Sequence, residues 1–171
     1  MTDVYPVAGA RPANNDSYLP VLRDSIDQAR QRFWASIFIM DARLGTDLQL
    51  QVRQIIDALT YACWRGVDVR ILLGSSTTQD IATANLTTAR VLAARGIPVR
   101  CFASQSEGGT HSKYYLTDSD QLVLGSHNWT EEAFCRHINS AMALRSPELA
   151  EQLAQKFLRH WERSSEVAAD A

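Results

Sequence analysis

Two hydrophobic periodicities alternate along the chain from residue 17 onward. Leu19, Leu22 and Ile26 recur at the three- and four-residue spacing of an amphipathic helix. Phe33–Met40 is instead a continuous apolar run with the length of a buried strand. Such strands alternating with helices are typical of an α/β fold, a mixed β-sheet flanked by helices on both faces. The full pattern predicts helices over Ser17–Arg32, Asp47–Arg65, Asp80–Arg95 and from Pro147, and strands over Phe33–Met40, Val67–Leu73, Ile97–Phe102, Tyr114–Thr117, Gln121–Leu124 and Ile138–Leu144.

The length and composition are those of one compact domain. The chain has 171 residues, of which 46% are hydrophobic, and it can therefore bury a sizeable core. We predict a flexible N-terminal arm over residues 1–15, because this segment is polar and contains proline. Residues 16–164 form the predicted domain, and residues 165–171 a C-terminal tail.

Cysteine usage and hydropathy favour a cytoplasmic protein. Cys63, Cys101 and Cys135 are odd in number and form no C-x-x-C pair, which indicates reduced thiols. No basic start with an apolar stretch predicts a secretory signal, and no apolar run is long enough to span a bilayer. The net charge of −2 excludes a generally basic nucleic-acid coat, although it leaves room for a local basic patch.

Candidate chemistry is concentrated in one stretch of the chain. His111, Lys113 and Asp118 stand in the order H-x-K-x-x-x-x-D, and G-S-x-N follows, with Gly125, Ser126 and Asn128 as its fixed positions. Alternate residues of a strand share a face, so His111 and Lys113 project together, as do Ser126 and Asn128. The pattern predicts an imidazole, an ammonium, a hydroxyl and an amide around one phosphate-sized anion.

These residues resemble the signature of the phospholipase D superfamily, H-x-K-x4-D-x6-G-S-x-N, with the same spacing throughout. The resemblance covers most of residues 16–163. It implies a phospholipase D-like fold and a phosphodiesterase that forms a phosphohistidine and needs neither metal nor cofactor. It also implies two motif histidines per site, whereas this chain has one copy of the motif. A homodimer that shares one site is therefore expected, as in the small bacterial endonucleases of the superfamily.

The resemblance assigns a role to each motif residue. His111 of one subunit would attack phosphorus, and His111 of the other would protonate the leaving group. Lys113 and Asn128 would donate to the non-bridging oxygens, with help from Ser126. Asp118 belongs to the motif and is kept in the catalytic set. Strand parity nevertheless places it on the opposite side from His111, so we favour a structural role, such as holding the turn.

One position departs from the family pattern. A glutamate that holds the motif histidine commonly follows the G-S-x-N asparagine by eleven residues, and here that position is Asn139. An amide can orient an imidazole but offers no charge to stabilise imidazolium, so the acid role would weaken.

Five other residues in or near the motif are assigned as follows. Gly125 and Asn139 complete the predicted substrate-binding set with Ser126. Trp129 either stacks on a base or is a core or lid aromatic. Arg136 either contacts phosphate or is a solvated loop residue. His127 is expected to pack on the opposite strand face.

Three functions follow from these residues. The first is a nuclease that cleaves DNA or RNA, alone or within a larger defence, restriction or repair system. The second is a phospholipid hydrolase or transferase, which would need an exposed apolar surface. The third is a phosphate- or nucleic-acid-binding module in which Asn139 has weakened turnover.

Overall fold

The structure is a computed structural model that describes residues 4–43, 50–102 and 110–167. Short loops connect the helices and strands within these ranges. In chain order the elements are β1 (Gly9–Pro12), a 3₁₀ turn (Asn15–Ser17), α1 (Tyr18–Gln28), β2 (Arg32–Ile37), α2 (Leu50–Trp64), β3 (Asp68–Leu73), α3 (Gln79–Ala94), β4 (Val99–Cys101), β5 (Lys113–Thr117), β6 (Gln121–Gly125), α4 (Glu131–Cys135), β7 (Ala141–Arg145), α5 (Pro147–Glu162) and β8 (Ser165–Glu166).

The strands of the described residues form one mixed sheet in the order β1-β7-β6-β5-β2-β3-β4-β8. Strands β2, β3 and β4 run parallel, and the other pairs are antiparallel. Helices α1, α2 and α3 contribute to a larger core on one face, and α5 covers the other face. The predicted α/β class, with helices on both faces of a mixed sheet, is confirmed.

Strand β5 lies at the centre of this sheet. It pairs with β2 on one side, where Ile37 is opposite Lys113, and with β6 on the other, where Tyr114 is opposite Leu124. Because β5 is antiparallel to both neighbours, its beginning lies beside their ends. The motif residues at the start of β5 and after β6 therefore meet at one edge of the sheet.

Gly125 ends β6 where this strand lies closest to β7. A Cβ added at Gly125 would collide with the carbonyl oxygen of Ser140 and would lie 2.7 Å from Cα of Ala141. A side chain at this position would push the two backbones apart, which explains why glycine is needed here.

Several element limits differ from the sequence prediction. Helix α1 ends at Gln28, not at Arg32, because Asp118 accepts hydrogen bonds from the backbone N–H groups of residues 30–32. Strand β7 begins at Ala141, since Ile138 is exposed. The first residues predicted for the helix Asp47–Arg65 lie outside the described residues.

Three short elements were not predicted. Gly9–Pro12, within the predicted flexible arm, pairs with β7, and Ser165–Glu166, within the predicted tail, pairs with β4. Both strands are exposed and lack an apolar alternation, so the sequence pattern gave no signal for them. The third element, α4, has five residues and is capped by Thr130, whose hydroxyl accepts from Ala133 N. The described residues at both ends thus join the sheet, while the domain limits at residues 15 and 164 stay predictions.

Candidate active site

His111 and Lys113 form a contacting pair at the start of β5. Lys113 Nζ lies 3.3 Å from His111 Nδ1 and donates to the His111 carbonyl oxygen at 2.9 Å. Both side chains lie against Phe38, whose ring centroid is 4.2 Å from that of His111 and 4.9 Å from Lys113 Nζ. Phe38 is therefore an apolar support for an imidazole that remains exposed to solvent.

The surroundings of this pair shift both groups toward their neutral forms. Partial burial, and to a smaller extent the charge of Lys113, lowers the pKa of His111 below 6.5. Burial also lowers the pKa of Lys113 from its usual value. A lowered imidazole pKa leaves most His111 side chains neutral at pH 7, which is the nucleophilic form.

Asn128 reaches the same place from the other side. The chain leaves β6 and runs beside the segment that follows β2, where Trp129 N donates to Ile39 O at 2.9 Å. Ile39 N in turn donates to Asn128 Oδ1 at 3.3 Å. The carbonyl of the Asn128 side chain is thus held by the residue next to Phe38, and its amide NH₂ is left as a donor. The structure brings His111, Lys113 and Asn128 together around the end of β2.

Ser126 and Asn139 form a hydrogen-bonded pair beside this group. Ser126 Oγ donates to Asn139 Oδ1 at 2.8 Å and accepts from Ser140 N at 3.1 Å. The Asn139 Nδ2 group donates to Ala133 O at 3.2 Å, and its backbone N donates to Asn15 Oδ1 at 3.1 Å. The Oδ1 of Asn139 is thus directed to Ser126, and no hydrogen bond among the described residues joins Asn139 to His111.

Asp118 lies at the opposite end of β5 from the histidine. Its carboxylate accepts from Arg30 N, Gln31 N and Arg32 N, at 3.1, 2.8 and 3.2 Å for Oδ1. Five residues of extended strand separate Asp118 from Lys113, a distance of roughly 16 Å. Its place in the catalytic set is therefore not supported by the geometry, which agrees with the structural role inferred from strand parity.

Trp129 is a core residue. It is fully buried, and its Nε1 donates to the hydroxyl of Tyr18 at 3.1 Å. Base stacking by Trp129, one of the two readings of the sequence, is wrong because no face of the ring is accessible. Arg136 is exposed at the end of α4, and a phosphate contact by its side chain stays a prediction.

Phe38, Gly74 and Thr110 support the pair of His111 and Lys113, and the sequence did not predict this role. A Cβ on Gly74, directly after β3, would lie 2.7 Å from Cδ2 of Phe38 and 2.6 Å from Thr110 O. Thr110 Oγ1 is within hydrogen-bond distance of Ser36 Oγ at 3.2 Å and accepts from Ser112 N at 3.1 Å. Phe38 stands in a uniformly apolar run, so its position at the site carried no sequence signal.

Within residues 4–43, 50–102 and 110–167, no group of three or more His, Cys, Asp or Glu residues could hold a metal ion. No helix in the same ranges is long and apolar enough to cross a membrane.

Residues 22–161 match the family model described as "Cardiolipin synthase, PLD-like domain". The chain belongs to the phospholipase D superfamily. Members of this superfamily are phosphodiesterases and related hydrolases. The matched residues include the complete H-x-K-x4-D-x6-G-S-x-N motif, so the resemblance seen in the sequence is confirmed.

Individual phospholipase D-like proteins show similarity in sequence and in fold. The mitochondrial cardiolipin hydrolase of Danio rerio is 35% identical over 100 residues, which are 58% of this chain and 42% of that protein. The chain thus spans less than half the length of this relative. The phospholipase D family member Nuc from Salmonella typhimurium superposes with a TM-score of 0.77 at 21% identity, covering 94% of this chain and 99% of that one. NucT from Helicobacter pylori gives a TM-score of 0.70 at 16% identity, covering 92% and 98%.

The remaining motif-region histidine, His127, is buried as strand parity predicts. Its ring stacks on Tyr18, with centroids 3.9 Å apart and planes inclined by 7°. Neither ring nitrogen has a hydrogen-bond partner among the described residues. Burial lowers the pKa of His127 to about 4. In the unfolded chain the imidazole titrates near 6.5, so between these values the unfolded state binds a proton that the folded state does not.

We predict that His127 makes the protein less stable as the pH falls from about 6.5 to about 4. The free energy of unfolding of the wild type should drop by roughly 1–3 kcal/mol more over this range than that of His127→Phe, which keeps a ring but does not titrate. Urea titrations at pH 7, 5.5 and 4.5 measure the difference. Parallel pH profiles for the two proteins would contradict the assignment of a neutral, buried imidazole.

Proposed function

We propose that the protein is a metal-independent phosphodiesterase, a nuclease that cleaves DNA or RNA through a phosphohistidine at a site shared by two subunits. The observation that carries this proposal is the contact between His111 and Lys113 on an open edge of the sheet, with the Asn128 amide beside them. A neutral nucleophile and two donors for phosphate oxygens are the groups that a phosphoryl transfer requires.

The reaction proceeds in two displacements. A ring nitrogen of His111 attacks phosphorus, so that an N–P bond forms and the P–O bond to the leaving group breaks. The leaving oxygen takes a proton from the imidazolium of His111 of the partner subunit. Water then attacks phosphorus, so that an O–P bond forms and the N–P bond to His111 breaks, and the water gives its proton to the imidazole of the partner subunit, which restores both histidines. Lys113 and Asn128 stabilise the negative charge on the non-bridging oxygens in both steps.

The contact between Lys113 and His111 supports an assignment of the attacking nitrogen. An ammonium only donates, so Nδ1 accepts from Lys113 and a neutral His111 carries its proton on Nε2. When a phosphate draws Lys113 away, Nδ1 can take the proton and Nε2 becomes the free nucleophile. Substrate binding and activation of the imidazole are coupled in this way.

The requirement for a second subunit follows from where the four histidines of the chain lie. His127 is buried against Tyr18. His160 contacts Phe102 from helix α5, and His137 lies in the exposed loop after α4. None of the three has a contact with His111 within the described residues, whereas His111 is exposed. A second copy of His111, brought by a homodimer, supplies the proton donor.

A phospholipid substrate is the second candidate function. Two observations favour it: the similarity to a mitochondrial cardiolipin hydrolase, and an exposed apolar set close to Ser126. Leu124 and Met142 are cross-strand neighbours, each 38% exposed, and Ile138 is 95% exposed. A third candidate is a module that binds phosphate with little turnover, because Asn139 offers no charge to imidazolium.

The cellular setting belongs to the same proposal. Free thiols at Cys63, Cys101 and Cys135 support a cytoplasmic location. A nuclease without a sequence-reading element in its described residues would take its specificity from a partner in a defence, restriction or repair system.

We predict that the wild type cleaves nucleic acid in excess EDTA and that His111→Ala does not. The loss should be at least about 10³-fold, since the nucleophile and the proton donor are removed together in a shared site. Single- and double-stranded DNA and RNA are assayed beside cardiolipin vesicles, with His160→Gln as a control that retains activity. Turnover of cardiolipin alone would favour the lipid candidate. Salt-sensitive binding of nucleic acid without turnover of any substrate would contradict an active phosphodiesterase.

The side chain at position 139 is expected to set the pH at which kcat/KM is largest. One His111 must be neutral and the other protonated, so kcat/KM is largest near the pKa of His111, which lies below 6.5. In the family pattern a glutamate at this position holds the motif histidine, so Asn139→Glu should move this optimum upward by about one pH unit, because a carboxylate that reaches the imidazolium in the shared site raises its pKa.

Asn139→Gln is the matched control for this prediction, since it has the size of glutamate without the charge. It should keep the wild-type optimum. A shared optimum for the Glu and Gln variants would contradict an electrostatic role for position 139, while leaving the role of His111 unaffected.

A further inference from the structure

A second cavity lies on the α1 face of the sheet, away from His111. Its volume is about 390 Å³. The strand register places its side chains in two rows across β5, β6, β7 and β1. One row is Tyr115, Val123, Ala143 and Arg11, and the other is Thr117, Gln121, Arg145 and Gly9. Residues two apart on a strand share a face, so both rows line the same surface. Val21 and Ser25 of α1 form the facing wall.

The cavity has an apolar floor and a polar interior. Val21, Val123 and Ala143 supply aliphatic surface, and the small side chain of Ala143 leaves the space open. The hydroxyl groups of Tyr115 and Ser25 are 3.5 Å apart, a distance that is long for a bond between two hydroxyls. The Ser25 hydroxyl donates to Val21 O at 2.8 Å, so the Tyr115 hydroxyl is the group that can exchange this contact for one with a ligand.

Arg145 and Arg11 place two guanidinium groups at the rim of the cavity, and the two differ in their ion pairing. Arg145 is neutralised by Asp120, to which its Nε donates at 2.6 Å. No hydrogen bond or ion pair within the described residues involves the side chain of Arg11. Its charge does act on the Tyr115 hydroxyl, where it lowers the pKa against a larger rise caused by burial. Arg11 thus lines the cavity as a cation that has no ion pair among the described residues.

We propose that this cavity binds a small organic anion, with a carboxylate or phosphate group against Arg11 and a compact apolar body over Val123 and Ala143. Cavities of roughly 300–1,000 Å³ with an apolar lining and a few polar groups are typical of small-molecule sites. The guanidinium of Arg11, which has no ion pair among the described residues, favours an anion with one charged group, which it can bind in bidentate geometry. The two rows of the cavity cross β5 at Tyr115 and Thr117, roughly 7 and 13 Å along the strand from Lys113, so the two sites can be occupied together.

The proposal is tested by titrating ¹⁵N-labelled full-length protein with benzoate, phenyl phosphate, adenosine 5′-monophosphate and inorganic phosphate. At least one organic anion should shift the backbone amides of Arg11, Val123 and Ala143 in a saturable way, without the same effect at Lys113 and Asn128. Inorganic phosphate, which has no apolar body, should not saturate these amides. Comparison of benzoate with phenyl phosphate distinguishes a carboxylate from a phosphate ligand.

Two variants test separately the charge of Arg11 and the free volume of the cavity beside Ala143. Arg11→Gln should weaken binding about tenfold, the usual effect of losing a charge-assisted hydrogen bond, and Ala143→Leu should abolish it by filling the cavity. Arg23→Gln is the matched control, since Arg23 is an exposed arginine of α1 that contacts Gln54, and it should bind as the wild type does. Arg11 is exposed on an edge strand, so its variant is expected to fold, and thermal unfolding verifies this. The proposal is overturned if no organic anion shifts the cavity amides, or if binding to Arg11→Gln equals that of the wild type.

Discussion

The carboxylate of Asp118 makes the interaction on which the arrangement of the motif depends. It accepts hydrogen bonds from three successive backbone N–H groups, those of residues 30–32, at the point where the chain passes from α1 into β2. Asp118 itself adopts a φ of 53°, and its carbonyl oxygen accepts from Arg32 Nε at 2.7 Å. The β5–β6 turn is thereby attached to the start of β2, and three successive backbone donors obtain a protein partner.

This attachment fixes register as well as position. With Asp118 held beside Arg32, Thr117 pairs with Phe33, and the ladder continues to the pair of Lys113 and Ile37. A shift of one residue would turn Lys113 to the other face of the sheet and separate it from Phe38. Asp118 thus helps to fix where the histidine and the lysine meet, which gives it a structural role within the motif.

At the other end of β5, an aromatic ring lies against both motif side chains. Phe38 contacts His111 and Lys113, and partial burial lowers the pKa of each of these two groups. Gly74 allows the close approach of Phe38 and Thr110 that creates this environment.

The sequence predicted which residues would lie together at the site, but not the contacts that hold them in place. His111, Lys113 and Asn128 could be predicted because spacing and strand parity are local properties, and the hairpin turn at Asp118 brings them to one edge. The burial of Trp129 could not, since it depends on a hydrogen bond to Tyr18, 111 residues away. The partner of Asn139 was equally hidden: it depends on the loop after α4, a helix of five residues that the apolar pattern did not indicate.

The edge strand β1 could not be predicted from the local sequence either. The β1 strand is exposed along its whole length and contains both glycine and proline, so nothing in its composition distinguishes it from a flexible arm. Its pairing with β7 is a tertiary effect, and the Asn14 side chain reinforces it by accepting from Ala141 N at 2.9 Å. The N-terminal segment thereby supports the strand that follows Asn139 and forms one side of the second cavity.

The most direct test of the central claim, that His111 is the nucleophile, is to trap its covalent intermediate. A substrate phosphodiester labelled at phosphorus is mixed with the protein, quenched within the first turnover at alkaline pH, digested and analysed by mass spectrometry. If His111 is the nucleophile, the label appears on the peptide that contains His111 and on no other. Turnover with no labelled peptide, or with the label on a different residue, would contradict it.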